Sequence, residues 1–206
     1  MHPNPIFRQA DHSAALDFAQ DRGFGILSIN GTEHPVTAHV PFILQRDKMC
    51  ILGHLVAANP IWQKIKETPC SALLSISGPD GYISPDWYAT ADQVPTWNYV
   101  AVNLTGQLKP LPQSDLRKVL DLQSAHFEEL LPNKTPWRTE KMPVDLMERM
   151  MRQIRPFQMA IEAVDSTWKL SQNKTPAARL AAADELSSSG TGQETARLSQ
   201  LMRNAE

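Results

Sequence analysis

Alternation of apolar and polar positions marks the first half of the chain. Residues 25–29 read as a first strand, and Asn30 followed by Gly31 is a two-residue hairpin signal. The return strand covers 35–42, with Val36, Ala38 and Val40 on one face and Thr37 and His39 on the other. Arg46, Asp47 and Lys48 form a turn before a third strand over 49–55. Residues 71–77 predict another strand. Residues 82–84 predict a short one that Pro85 ends, because proline lacks a backbone donor. Extended runs follow over 94–100 and 100–108, with a bend or bulge at Gly106. A late strand over 157–164 sets Phe157, Met159, Ile161 and Ala163 against the alternate positions. Consecutive strands joined by tight turns predict an antiparallel meander, the start of a barrel or sandwich.

Helical periodicity appears between and after these strands. Residues 14–20 predict a short helix capped by Asp11 or Ser13. Asn59 and Pro60 fit the N-cap and first helical positions of another, with Ile61, Trp62 and Ile65 on its apolar side. Ser114 caps the longest helix, to about Leu131, whose stripe is Leu116, Leu120, Gln123, Phe127, Leu130 and Leu131. A second amphipathic helix covers 144–152. The fold class is therefore mainly β with peripheral helices, an α+β barrel. Composition shifts after Pro176, which divides the chain into a barrel domain at 1–176 and a helical C-terminal tail at 177–206. In that tail 187–192 predicts a flexible break, and the last helix docks weakly or meets a partner.

Composition narrows the function classes. The chain has 206 residues, 20% charged and 42% hydrophobic, which suits one folded domain with a sizeable core. No apolar run approaches a membrane span and the first residues carry no secretory pattern, so a cytoplasmic location without membrane contact is expected. Cys50 and Cys70 lie in strand-like segments and read as small hydrophobes rather than a disulfide. No CxxC or HxxxH spacing supports a metal site. Net charge is −2, so DNA binding through a basic face is only weakly supported. No GxSxG, Rossmann fingerprint or P-loop occurs, and no catalytic residue is assigned.

One stretch concentrates the aromatic side chains. Residues 78–99, GPDGYISPDWYATADQVPTWNY, hold all three tyrosines and two of the five tryptophans. GPDGYISPDWY followed by VPTWNY, with GHLVAANP at 53–60 and WKLSQNK at 168–174, resembles the PaiB-type family of FMN-binding negative transcriptional regulators. The resemblance spans roughly residues 1–176. It implies an FMN-binding split β-barrel related to pyridoxamine-phosphate-oxidase-like flavoproteins, a homodimer with FMN at the subunit boundary, and negative regulation of transcription. Relatives carry an arginine where this chain has Ala57 and a serine where it has Asp86, so FMN is expected to be weakly held or lost.

The ligand cleft expected from these blocks is bordered by His39, His54, Asn59, Ser84, Trp87, Trp97, Asn98, Lys169, Ser171, Gln172 and Asn173. The aromatic rings offer stacking, the lysine offers charge for a phosphate, and the strand-to-helix corner at 53–60 offers backbone N–H groups. Ser171, Gln172 and Asn173 can equally satisfy their own loop's backbone. Two other function classes stay open. One is an FMN-dependent oxidoreductase of the same barrel class acting on a small molecule, with the redox chemistry supplied by the flavin. The other is a flavin-free dimeric interaction protein.

Overall fold

The computed structural model describes residues 1–8, 10–189 and 191–205. Its sheet is built from β1 (Phe24–Ile29), β2 (Val36–Gln45), β3 (Cys50–Val56), β4 (Cys70–Ile83), β5 (Thr96–Pro110) and β6 (Ile154–Lys169). The order is β1-β2-β3-β6-β5-β4, and β1 also pairs with β4, so the sheet closes on itself. Pairing is antiparallel where the register is defined: Gly25 faces Val40, Phe42 faces Gly53, Leu52 faces Gln158 and Ile26 faces Ser75. Closure pairs both sides of the barrel-forming segments, which limits edge-to-edge aggregation there. The expected antiparallel barrel with outer helices is the fold observed.

The chain forms two compact units. The first comprises residues 1–15, 77–103 and 165–206, and the second residues 16–76 and 104–164. The boundaries fall within β4, β5 and β6, and also within α1 (His12–Arg22). In the second unit Leu27, Phe42, Ile51, Leu74, Leu104 and Phe157 are buried from alternate strand positions. That unit also carries α2 (Pro60–Ile65), α3 (Leu116–Glu129) and α4 (Val144–Met151). Helix α3 packs on β2 and β3 through a buried side that includes Leu116, Val119 and Gln123. In the first unit, α5 (Pro176–Ser189) and α6 (Thr195–Asn204) pack on each other. A two-residue strand, β7 (Gly192–Gln193), pairs with β4 at Asp80 and Gly81.

Several local expectations change. The β1–β2 pairing ends at Ile29 opposite Val36, so the connection spans residues 30–35 rather than Asn30 and Gly31 alone. Pro35 has no N–H to give the ladder, which delays pairing to Val36. Ser114 lies in a 3-10 turn, Gln113–Asp115, and does not cap α3. The predicted break at 187–192 is mostly structured: Ser187 and Ser188 belong to α5 and Gly192 to β7, while Gly190 lies outside the described residues. The tail is firmly docked, since Leu186, Leu198 and Met202 are fully buried. Both cysteines are free thiols, Cys50 buried and Cys70 half-buried. Among the described residues no helix is long and apolar enough to cross a membrane.

Candidate functional site

The first unit presents an aromatic cleft. Period-two geometry turns Trp97, Tyr99 and Ala101 of β5 to one face while Asn98 and Val100 point to the other, where both are buried. The outward residues, with Ser77, Gly78 and Asp80 of β4, line an open cleft of about 480 Å³. Trp97 is 48% exposed, and its ring meets Tyr82 edge-on at 6.3 Å. An exposed indole beside a tyrosine is a stacking surface for a flat ring.

Behind that face lies a closed polar network. Asn98 donates from Nδ2 to Ser171 Oγ at 2.8 Å, and Ser171 Oγ lies 3.1 Å from the Tyr88 hydroxyl. All three side chains are buried, and burial pushes the Tyr88 phenol up despite its bond to Ser171. Ser171 holds a φ of 65°, a left-handed conformation that its side-chain bonds help to fix. Asn98 Oδ1 is buried without a hydrogen-bond partner. Gln172 closes its own loop, accepting from the Leu170 N–H at 2.8 Å and donating to the Trp168 carbonyl at 2.6 Å. Ser84 accepts from the Asp86 N–H at the start of a 3-10 turn, Pro85–Tyr88. Asn98, Ser171 and Gln172 therefore hold motifs together from within, and none presents a free group to a ligand on this face.

Two lysines remain available. Lys169 donates to Thr96 Oγ1, and Lys174 donates to Gln93 Oε1 with its ammonium 5.0 Å from the Tyr88 ring centre. Both are half-buried, and no carboxylate pairs with either among the described residues. Burial and then the charge of Lys174 push the Lys169 amine down. Two half-buried cations without a carboxylate partner favour an anion between or beside them. Trp87 is half-buried on the 3-10 turn, and Asn173 is exposed.

The other expected site residues belong to the second unit, and each has a partner there. His39 is exposed and stacks on Phe24 with ring centres 6.2 Å apart. Asn59 accepts from the Ile61 N–H at 2.9 Å and so caps α2 as its sequence position predicts. The Ala57 N–H donates to Gln153 and the Asn59 N–H to Val56, and Pro60 has none. The corner at 53–60 therefore keeps few donors for a phosphate. His54 pairs through Nδ1 with Gln123 Oε1 at 2.8 Å, while Gln123 Nε2 donates to the Pro41 carbonyl at 2.9 Å. Gln123, a glutamine inside the apolar stripe of α3, is the partner that fixes the His54 ring. Tyr88, Gln93 and Thr96 had no local signal, since each is defined by a partner more than 70 positions away.

Burial pushes the His54 imidazole down, more than the Gln123 bond restores it. The unfolded chain therefore takes up this proton first as pH falls below the ordinary histidine value of about 6.5. The His54 contribution to stability is complete above that value and is lost as pH drops through the depressed folded-state value. Urea midpoints across pH 7.5 to 5 are expected to fall more steeply for the natural protein than for His54→Phe. Equal slopes would remove His54 as the cause.

Among the described residues no cluster of three or more histidine, cysteine or carboxylate side chains can hold a metal. The residues of the first unit suit a group with a flat ring and an anion. Residues 1–163 match the family model described as "Putative FMN-binding domain". The chain is 29% identical over 176 residues to the Bacillus subtilis protein named "Protease synthase and sporulation protein PAI 2", covering 84% of this chain and 83% of that one. The FAD and heme binding protein of Mycobacterium smegmatis shares the fold, with a TM-score of 0.61 and 14% identity over 79% of this chain and 73% of that one. The flavocytochrome Anf3 of Azotobacter vinelandii does so with a TM-score of 0.55 and 13% identity over 82% and 72%.

Proposed function

The chain belongs to the "Putative FMN-binding domain" family, and on that premise we propose that it binds FMN through its first unit and acts as a PaiB-type negative regulator of transcription. The observation that carries the ligand reading is the lysine pair. Lys169 and Lys174 are half-buried, close enough for the charge of one to disfavour that of the other, and without a carboxylate partner among the described residues. A phosphate relieves that repulsion, and the exposed Trp97 with Tyr99 gives an isoalloxazine ring a surface. Lys169, Lys174, Trp97 and Tyr99 are the residues assigned to FMN. Homodimer formation belongs to the same reading: Phe24 and Trp97 are 52% and 48% exposed, large rings that a second copy would cover. Light scattering at the dimer mass supports this, and the monomer mass across a wide concentration range counts against it.

The regulatory half rests on resemblance and on the name of the Bacillus relative. A salt-sensitive, sequence-selective shift of DNA supports direct regulation. Turnover of NAD(P)H with reduction of the bound flavin, without any DNA shift, favours the oxidoreductase reading.

Titration of FMN and riboflavin separates the phosphate from the ring. FMN is expected to bind more tightly than riboflavin, and replacing both lysines with alanine to weaken FMN roughly ten- to hundredfold, the scale of one charged hydrogen bond. Riboflavin binding should not change. Equal binding of the two flavins, or an unchanged FMN affinity in the double variant, would falsify the phosphate assignment.

A further inference from the structure

The second unit holds a built cleft that the flavin reading does not use. It lies against β2, β3 and α3, has a volume of about 310 Å³, and is lined mainly by the apolar surfaces of Pro41, Leu120, Phe127 and Trp137. His54 and Gln123 contribute its polar wall.

The hydrogen bonds fix the state of that wall. A proline carbonyl can only accept, so the Gln123 amide must turn its NH2 toward Pro41, where it lies at 2.9 Å. The amide oxygen then faces His54 Nδ1 at 2.8 Å, and an oxygen there can only accept. Nδ1 must therefore carry the hydrogen, which leaves Nε2 with its lone pair. Gln123 is 5% exposed, so this relay is held rigidly inside the protein. Burial also keeps the ring neutral at ordinary pH. The result is a fixed, neutral hydrogen-bond acceptor set among aromatic and aliphatic walls.

We propose that this cleft binds a neutral aromatic compound of one or two rings carrying an O–H or N–H donor, which bonds to His54 Nε2 while its ring packs on Leu120, Phe127 and Trp137. The charge pattern selects against ions. Glu128, which also lines the cleft, offers an anion no donor. Its carboxylate already receives Lys134 and the Trp137 N–H, which leaves little for a cation. The volume falls at the lower end of the range for small-ligand pockets, which fits a compact ligand. None of these residues belongs to the first unit, so the inference stands without FMN.

The test uses 4-fluorophenol and 4-fluoroanisole, which share a ring but only the first of which can donate. Fluorine NMR is expected to show saturable binding of 4-fluorophenol to the full chain, and binding of 4-fluoroanisole weaker by roughly tenfold, the scale of one lost hydrogen bond to a buried acceptor. His54→Phe should bring the phenol down to the level of the anisole. Leu120→Trp, which fills the cleft from its α3 wall, should abolish both. Long-range proton–nitrogen spectra of the imidazole should show hydrogen on Nδ1. The proposal is overturned by equal affinity for the two probes, by no saturable phenol binding, or by hydrogen on Nε2. The probe comparison and the tautomer need only the natural protein, so they decide even where a variant does not fold.

Discussion

Gly106→Ala is expected to stop the barrel from folding. Gly106 lies in β5, in the second unit, where the backbone of β6 approaches it closely. A Cβ built there falls 2.8 Å from the Ala160 carbonyl carbon, nearer still to its oxygen, and 3.1 Å from Ile161 Cα. All three are backbone atoms of a paired strand, so nothing can rotate aside. Relief requires separating two strands of a closed sheet. Ordinary overpacking costs about 1–3 kcal/mol, and loss of strand pairing adds to it. Strain and lost pairing together are expected to exceed the margin of a total stability of about 5–15 kcal/mol and leave little soluble folded protein. Gly81→Ala is the comparison, because a Cβ there meets the end of the Leu186 side chain at 2.8 Å, which can move. Its cost is expected near 1 kcal/mol. Soluble yield and urea unfolding of both variants check this, and a Gly106→Ala protein within about 1 kcal/mol of the natural one would refute it.

Asn98→Asp is expected to be the most damaging isosteric change in the first unit, and the damage should depend on pH. Asn98 is fully buried, donates to Ser171 and lies 3.4 Å from Met202 Sδ. A carboxylate there loses the Nδ2 donor and is desolvated, and its Oδ1 position has no donor even now. An uncompensated buried charge costs on the order of 3–5 kcal/mol. Protonation restores a donor toward Ser171, so the folded-state value of the new acid is raised above its unfolded value of about 3.9. Stability is then kept below that value and lost as pH rises through the folded-state one. Urea midpoints should approach those of the natural protein near pH 4.5 and fall far below them at pH 8. A pH-independent deficit would mean that shape, not charge, is at fault.

The strands were legible because each is a local pattern. Residues 25–29, 49–55 and 157–164 alternate strongly enough to place β1, β3 and the middle of β6 within a few positions. Asn59 was legible as a cap for the same reason, since its partner Ile61 is two residues away. The ends of β6 and the β1–β2 connection were not, because pairing with a neighbour extended one and a donorless Pro35 lengthened the other. The candidate site was legible as a set of residue types. Trp97 is exposed and Lys169 is half-buried, whereas Asn98, Ser171 and Gln172 make their hydrogen bonds inside the unit.

The sequence by itself determined the barrel class, the cap at Asn59, the concentration of aromatic rings over residues 82–99 and the family likeness of its four blocks. Only the tertiary structure decided which polar group meets which. Asn98 finds Ser171 across 73 positions, His54 finds Gln123 across 69, and Lys169 finds Thr96 across 73. The reason is physical. Strand and helix formation follow from the chemistry of near neighbours, but the partner of a buried donor is set by strand register and by which helix covers the sheet. Those follow from the folding of the whole chain, and with them the distinction between an exposed side chain and one that fastens the wall behind it.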